Sequence, residues 1–403
     1  MELPTQTQLI LPLLETIHEA GGCASPGAIY DEVAARLGIT DEARNATSQR
    51  GDHGAVNLFE RRVRWTRQTA VMKGLIARER RGVWALTEKA NARLHNIVRG
   101  AVVTLFETSN GVFLWANAED AVGIVERESI DLLCTSPPYP IVSPKAYGGL
   151  DQKSWVEWML RLCEGWRKLI KPTGSIMLNL GACWMPGMPA QSLYQSRLLV
   201  RLEDELGIHL LQELAWHSPT KLPVPLNWVG VRRVRLTSSI EKILWLSPQP
   251  HLAKADNRRV LRPYTEGGLR SINDCRIQST RPGGITFGQT SFQDRGGSIP
   301  AALITATPNS VEEHRYRKAV AAAGKQPHPA LMPAAVARFC IKLATEENDT
   351  VADFFAGGCT IPVEAMKLRR YAIAGERSRE YLETGFLRSR AEGLNPKMVA
   401  QTG

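Results

Sequence analysis

The cysteines of this chain form no pattern. There are seven (Cys23, Cys134, Cys163, Cys183, Cys275, Cys340 and Cys359), odd in number and without a Cys-x-x-Cys, which excludes a zinc ribbon and a disulfide framework and makes a reducing cytoplasm the expected compartment. Apolar runs are short: none approaches the ~18 residues of a membrane span. The opening MELPTQTQ has no basic segment ahead of an apolar one, so neither a membrane nor export is expected. His217 and His328 fit no metal-ligand spacing, so no metal is expected. Negative charge is in deficit, with 40 Asp and Glu against 50 Lys and Arg for a net charge of +10. That balance suits a polyanionic partner. What remains is ordinary for a globular protein, 43% apolar and 22% charged, and 403 residues leave room for two or three domains.

Residues 1–97 read as a unit. Leu9, Leu13, Ile17 and Ala20 recur at helical spacing, and Ser25-Pro26 opens a second helix with Ile29, Val33 and Leu37 on one face. A third helix follows Asn57, with Phe59, Val63, Thr66 and Ala70 inside and Arg61, Arg64 and Gln68 outside. The stretch LIARERRGVWALT (75–87) then predicts two short strands around Arg80-Arg81-Gly82. Three helices and a basic β-turn-β are the parts of a winged helix, with Arg61, Arg64, Arg80 and Arg81 as candidate DNA contacts. The motifs in NLFERRVRWTRQTAVMKGLIARERRGVWALTEKA (57–90) resemble the N-terminal module of Mrr-type restriction proteins. That resemblance implies a DNA-binding winged helix.

Residues 111–248 alternate between strand and helix signals. A strand at 130–134 is followed by a helix around 152–170, a turn at Lys171-Pro172-Thr173-Gly174, a strand at 175–181, and further strands at 211–219 and 239–248. From 249 to 325 periodicity fades while Gly, Pro and Arg accumulate, Arg258, Arg259, Arg270 and Arg276 among them, so this stretch reads as an irregular basic insertion. Regular signals resume over 326–395, with a helix at 333–344.

Two stretches carry chemistry. In DLLCTSPPYP (131–140) an apolar strand ends in Ser136-Pro137-Pro138-Tyr139; prolines cannot donate to a ladder, so carbonyls here are free for a ligand. In TVADFFAGGCTIPVEAMKLRRYAIAGERSREYLE (350–383) a strand runs into Phe355-Ala356-Gly357-Gly358, then a helix, then a strand closed by Glu376. Glycines at a strand end admit a ligand to the backbone, and the carboxylate closing the next strand can accept two ribose hydroxyls.

Together TSPPY, DFFAGGCT (353–360), IAGERSREY (373–381) and the lead-in HPALMP (328–333) resemble the amino-directed DNA methyltransferases of the permuted class, in which the catalytic tetrapeptide precedes the cofactor loop. The resemblance implies an α/β, Rossmann-like sheet with permuted motif order behind the winged helix, and S-adenosylmethionine as cofactor. Ser136, Pro137, Pro138 and Tyr139 are then catalytic. Asp353, Phe355, Ala356, Gly357, Gly358, Thr360, Glu376, Asn117 and His328 line the cofactor site. Residues 249–325 stand where the family carries target recognition, with double-stranded DNA as partner. The chain departs from the usual Asp-Pro-Phe-Ala-Gly-Ser-Gly by Phe354 for Pro and by Gly358-Cys359 for Ser-Gly.

Ser at the head of the tetrapeptide favours cytosine N4 as the methylated atom; adenine N6 is the alternative, and a DNA-binding regulator with an inactive methylase fold is a third. Ring-carbon methylation needs a Pro-Cys dipeptide, which is absent, so Cys134 is expected in the core. A companion restriction endonuclease fits this setting, and the protein is expected to be a monomer or homodimer.

Overall fold

The computed structural model describes residues 3–399 apart from 5, 21, 38, 50–54, 73, 78–81, 88–99, 141–150, 223–224, 274–278, 281, 285 and 288–292. The N-terminal module contains helices α1 (Gln6–Glu19), α2 (Pro26–Arg36), α3 (Asp41–Asn45) and α4 (Leu58–Met72), with short strands β1 (Cys23–Ala24), β2 (Thr47–Gln49), β3 (Ala55–Asn57) and β4 (Trp84–Ala85). The apolar stripes read from the sequence meet in one core: Leu9, Leu13 and Ile17 of α1, Ile29 and Val33 of α2, and Phe59, Val63 and Ala70 of α4. Ala20 and Leu37 fall just beyond their helix ends. The expected pairing of two short segments around Gly82 is present: the Ala77 amide donates to the Ala85 carbonyl at 2.8 Å and the Thr87 amide to the Leu75 carbonyl at 3.1 Å. Ile76 bridges Leu86 antiparallel, and β4 pairs with β1 as well.

The main body is one ten-stranded sheet. Its elements are β5 (Val102–Thr108), β6 (Gly111–Ala116), α5 (Ala118–Ala121), β7 (Ile130–Thr135), α6 (Gln152–Arg167), β8 (Ile170–Leu180), α7 (Tyr194–Leu206), β9 (His209–His217), β10 (Ile240–Ser247), α8 (Glu266–Asn273), a small β11 (Ser279–Thr280) and β12 (Thr286–Phe287) pair apart from it, β13 (Leu303–Thr305), α9 (Val311–Ala322), α10 (Ala334–Ala344), β14 (Thr350–Asp353), α11 (Thr360–Lys367), β15 (Tyr371–Glu376), α12 (Arg379–Ala391) and β16 (Lys397–Met398). The order across the sheet is β13-β9-β10-β8-β7-β14-β15-β6-β5-β16. The five central strands β8, β7, β14, β15 and β6 are mutually parallel. Every residue of β7 is buried, because both faces of a parallel sheet are covered. Leu132 and Cys134 face a cluster with Val336, Cys340 and Ile341 of α10, whereas Ile130 and Leu133 face Trp155, Met159 and Trp166 of α6. Cys134 is thus a core residue; the Cys340 thiol beside it and complete burial push its pKa well above the usual thiol range.

Strand and helix ends shift by a few residues from the sequence reading, and larger differences fall at three places. The sheet starts at Val102, ahead of 111, because β5 folds back antiparallel on β6. The expected turn at 171–174 is a bulge inside β8: Ile130 pairs with Ile170 but Leu132 with Ser175. A Cβ at Gly174 would lie 2.9 Å from the Ile130 carbonyl, so only glycine lets the bulge close. The insertion ends earlier than 325, since β13 joins the sheet beside β9 and α9 has its own capping box, Ser310 with Glu313.

The two parts touch. Arg379 Nη1, at the start of α12, lies 2.8 Å from Glu15 Oε1 of α1, and Glu15 is buried.

Candidate active site

At the carboxyl end of β7, Thr135 is still in the ladder and Ser136 has left it. Pro138 O accepts from Trp155 Nε1 of α6 at 2.6 Å, fixing the tetrapeptide to the sheet's flanking helix. The Pro137 carbonyl accepts no hydrogen bond among the described residues. Tyr139 lies against the end of β8, where a Cβ on Gly181 would stand 2.7 Å from its ring. A glycine at 181 is therefore required for the tyrosine to sit there.

The neighbouring β14 delivers the glycine loop. Thr135 Oγ1 donates to Asp353 Oδ1 at 2.7 Å, and the same oxygen accepts the Phe355 amide at 3.0 Å. Asp353 Oδ1 therefore clamps β7 to the loop from beneath. Burial is the main cause that pushes its pKa up to about 7, with the Glu376 charge adding to it. Phe355 presents its ring edge-on to Trp158 and Trp166, 5.6 and 6.2 Å away between centroids. Gly357 has a φ of +48°, and a Cβ there would meet the His328 ring at 3.1 Å. His328 is held in turn: its amide donates to the Tyr316 hydroxyl at 3.0 Å and its ring stands on edge to Tyr381.

Glu376 closes β15 as expected. Its Oε2 accepts the Gly357 amide at 2.9 Å and its Oε1 the Ser378 amide at 2.8 Å. Each oxygen keeps a further lone pair, so the carboxylate can accept two more hydroxyl donors. Burial raises its pKa. Two buried carboxylates on adjacent strand ends, beside a loop with no room for a Cβ at 357, suit a cationic ligand carrying a diol. Asn117 follows β6, the strand paired to β15, and its Nδ2 donates to Asp120 Oδ2 at 3.1 Å. Thr360 and Ala356 are buried within the loop and the start of α11.

The departures from the usual loop find a local account. Cys359 sits at φ +58° where the family has glycine, a strain of about 1–2 kcal/mol for an L-residue. Its side chain is fully buried, and a Cβ on Gly385 would come within 3 Å of it, so it fills the gap left by that glycine.

The sequence reading missed four residues here. Asn179, the second-last residue of β8, donates through Nδ2 to Ser136 Oγ at 3.3 Å and to Glu241 Oε2 at 2.9 Å. Glu241 in turn pairs with Lys221. Asn179 and Glu241 are both buried, and Asn179 Oδ1 has no partner among the described residues. An acceptor is thus left over beside the serine. Beneath the loop, Arg388 Nε donates to Gly358 O at 2.6 Å with its guanidinium 3.9 Å over the Tyr316 ring. A polar residue in the apolar run SIMLNLG was the one available signal for Asn179.

The arginines divide. On α4, Arg64 is exposed and Arg61 half-buried, on the side away from the core stripe. Arg258 is exposed but pairs with Asp256. Arg259 pairs with Glu346 and with the Thr345 carbonyl, just ahead of β14. That is the amino end of the parallel strands, opposite the tetrapeptide, because β10 runs antiparallel and carries the chain there. Arg259 is therefore a structural anchor rather than a residue at the site. Arg270, on α8, is exposed beside Glu266. Arg80, Arg81 and Arg276 lie outside the described residues.

Comparison with known proteins agrees with this geometry. The family described as DNA methylase matches residues 130–386, and the Mrr N-terminal domain matches residues 7–96. The Type II methyltransferase M.PvuII of Proteus hauseri is 34% identical over 286 residues, spanning 70% of this chain and 84% of its own. M.HpaI of Haemophilus parainfluenzae is 24% identical over 279 residues, 66% of this chain and 70% of its own. The solved structure of PvuII DNA methyltransferase (cytosine-N4-specific) superposes with a TM-score of 0.57 at 28% identity, over 73% of this chain and 96% of that one. The family match runs through the Ser136 tetrapeptide, the Gly357 loop and Glu376, and the chain belongs to the DNA methylases, with an Mrr N-terminal domain ahead of its catalytic body.

Proposed function

We propose that this enzyme transfers a methyl group to N4 of a cytosine that has been turned out of duplex DNA, within a short specific sequence. The methyl donor is S-adenosylmethionine, which supplies an electrophilic methyl on a sulfonium when bound. Glu376 would hold its ribose, the Phe355–Gly358 loop its methionine end, and Asn117 its adenine edge. The observation that carries the reading is the 2.7 Å contact between Thr135 and Asp353, which seats the Ser136 tetrapeptide and the cofactor loop side by side.

The chemistry asks little of the protein beyond placement and charge. An aromatic amine is a poor nucleophile because its lone pair is delocalised into the ring. The Ser136 hydroxyl and Pro137 carbonyl accept the two amine hydrogens, favour a pyramidal nitrogen and disperse its developing positive charge. Asn179 fixes the serine hydroxyl, so the acceptor is oriented before the base arrives. Tyr139 gives the extruded ring a face to stack on. Cytosine is favoured over adenine because Ser136 stands where adenine enzymes place a carboxylate or amide, and because the PvuII relative is cytosine-N4-specific.

The test is to digest treated DNA to nucleosides and weigh them. N4-methylcytosine is expected; N6-methyladenine in its place would reverse the choice of base.

A further inference from the structure

The connection from β9 to β10 is far longer than a hairpin needs. It occupies residues 218–239, where hairpin loops ordinarily take about two to five. Lys242 of β10 lies opposite Leu180, the last residue of β8, so the connection emerges at the same edge of the sheet as Ser136. Its base is tied down. Ser218 N donates to Ser239 O at 2.8 Å, Lys221 pairs with Glu241 of the serine network, and Arg235 Nε donates to Pro189 O at 2.7 Å.

Beyond that base the described residues expose aliphatic side chains. Leu222, Leu226, Val231 and Leu236 are 74%, 63%, 68% and 89% exposed. Four large aliphatic side chains in water within one connection mark a surface awaiting a partner. The charge among them identifies which. Residues 218–239 contain Lys221, Arg232, Arg233 and Arg235 and no Asp or Glu. None of the three arginines pairs with a carboxylate among the described residues. Arg232 lies 5.0 Å over the Trp228 ring, Arg233 is held at φ +54°, and Asn227–Val231 forms a π-helical turn, a feature frequent at functional sites. Uncompensated arginines interleaved with aliphatic wedges suit a nucleic-acid backbone and the space between stacked bases.

We infer that residues 225–236 are the DNA wedge of this enzyme. Arg232 and Arg233 hold phosphates beside the target, and Leu226 and Leu236 enter the stack and occupy the space the extruded base leaves. The inference rests on the function proposed above. It also couples the wedge to the chemistry, because Lys221 at its root leads through Glu241 and Asn179 to Ser136.

The test compares two forms of one duplex carrying the sequence the wild-type enzyme modifies: one with the target cytosine paired, one with it opposite an abasic site, where extrusion costs less. In Leu226→Ser/Leu236→Ser, methylation of the paired duplex should fall by about tenfold or more, at least about 1.4 kcal/mol, while the abasic form stays within about threefold of wild type. Arg232→Ala/Arg233→Ala should weaken both forms alike and flatten the salt dependence. Equal losses of the leucine variant on both duplexes, or no loss on either, would overturn the wedge. So would unchanged methylation with a lost dimer in sedimentation, which would assign the patch to a second copy of the chain. A wild-type protein that methylates neither duplex nor genomic DNA sinks the proposed function itself, a result no variant comparison can mimic.

Discussion

Asp353 and Glu376 are both carboxylates at strand ends, yet they do different work. Glu376 keeps free lone pairs at the site, so Glu376→Ala should weaken S-adenosylmethionine binding by about 1–3 kcal/mol, the range for an unpaired polar partner; calorimetry on the folded variant giving wild-type affinity would remove it from the site. Asp353 is a clamp with a pKa raised from 3.8 to about 7. A carboxyl raised by folding contributes stability that is present below its unfolded value and lost as the pH climbs through its folded one. Asp353→Asn can still accept from Thr135 and Phe355, so the cofactor-free variant should gain stability over wild type at pH 8, with the gain fading towards pH 4. Thermal unfolding at both pH values checks this, and an equal difference at both would mean that the charge is not the cause. Ser136 and Glu376 were legible because their neighbours in sequence, prolines and glycines, announce a strand end. Asn179, Glu241 and Arg388 were not. Their partners lie 43, 62 and 30 residues away, and one polar residue within an apolar strand carries no sign of what it meets.

Among the elements, α4 followed its sequence most closely. Its buried residues Phe59, Val63, Thr66 and Ala70 are those the helical period selects, because one amphipathic helix on one core has a single way to turn. Its outer face carries Arg61 and Arg64 beside the exposed Trp65. Reversing both arginines to Glu should weaken duplex binding and lower the salt slope by close to one unit for each phosphate no longer held; an unaltered slope in titrations at several salt concentrations would give the module another partner. The β8 bulge and α9 were less legible. A Lys-Pro-Thr-Gly run has the residues of a turn and becomes a bulge only because β7 is already beside it. The capping box of α9 was readable, but it follows a stretch rich in Gly, Pro and Arg, and its reason to form is tertiary: Tyr316 supports His328 and Arg388 beneath the cofactor loop.

For the molecule as a whole, the permuted order and the parallel core were legible, since each strand-loop-helix unit carries its own signals. The length of the insertion was not, because its last part is held by the sheet rather than by periodicity. With Asp256 bonded to Leu343 O and β13 within the sheet, we propose that target recognition, expected over 249–325, narrows to residues 264–298. Exchanging it for that of a relative with another target should change the sequence modified and leave the methylated atom unchanged. Sequencing that detects modified bases reads both, and a retained sequence choice would place recognition elsewhere, the β9–β10 connection first.

The Thr135–Asp353 contact joins residues 218 apart. At about 5–20 residues per second of synthesis, β7 emerges roughly ten to forty seconds before its central neighbour exists. β8 can cover one edge of β7 early; the other stays open until β14 arrives. An uncovered apolar strand edge is a template for pairing with other chains, so in a permuted methylase the burden of avoiding aggregation falls on the growing polypeptide. The junction of the Ser136 tetrapeptide with the Gly357 loop is among the last parts of the protein to close.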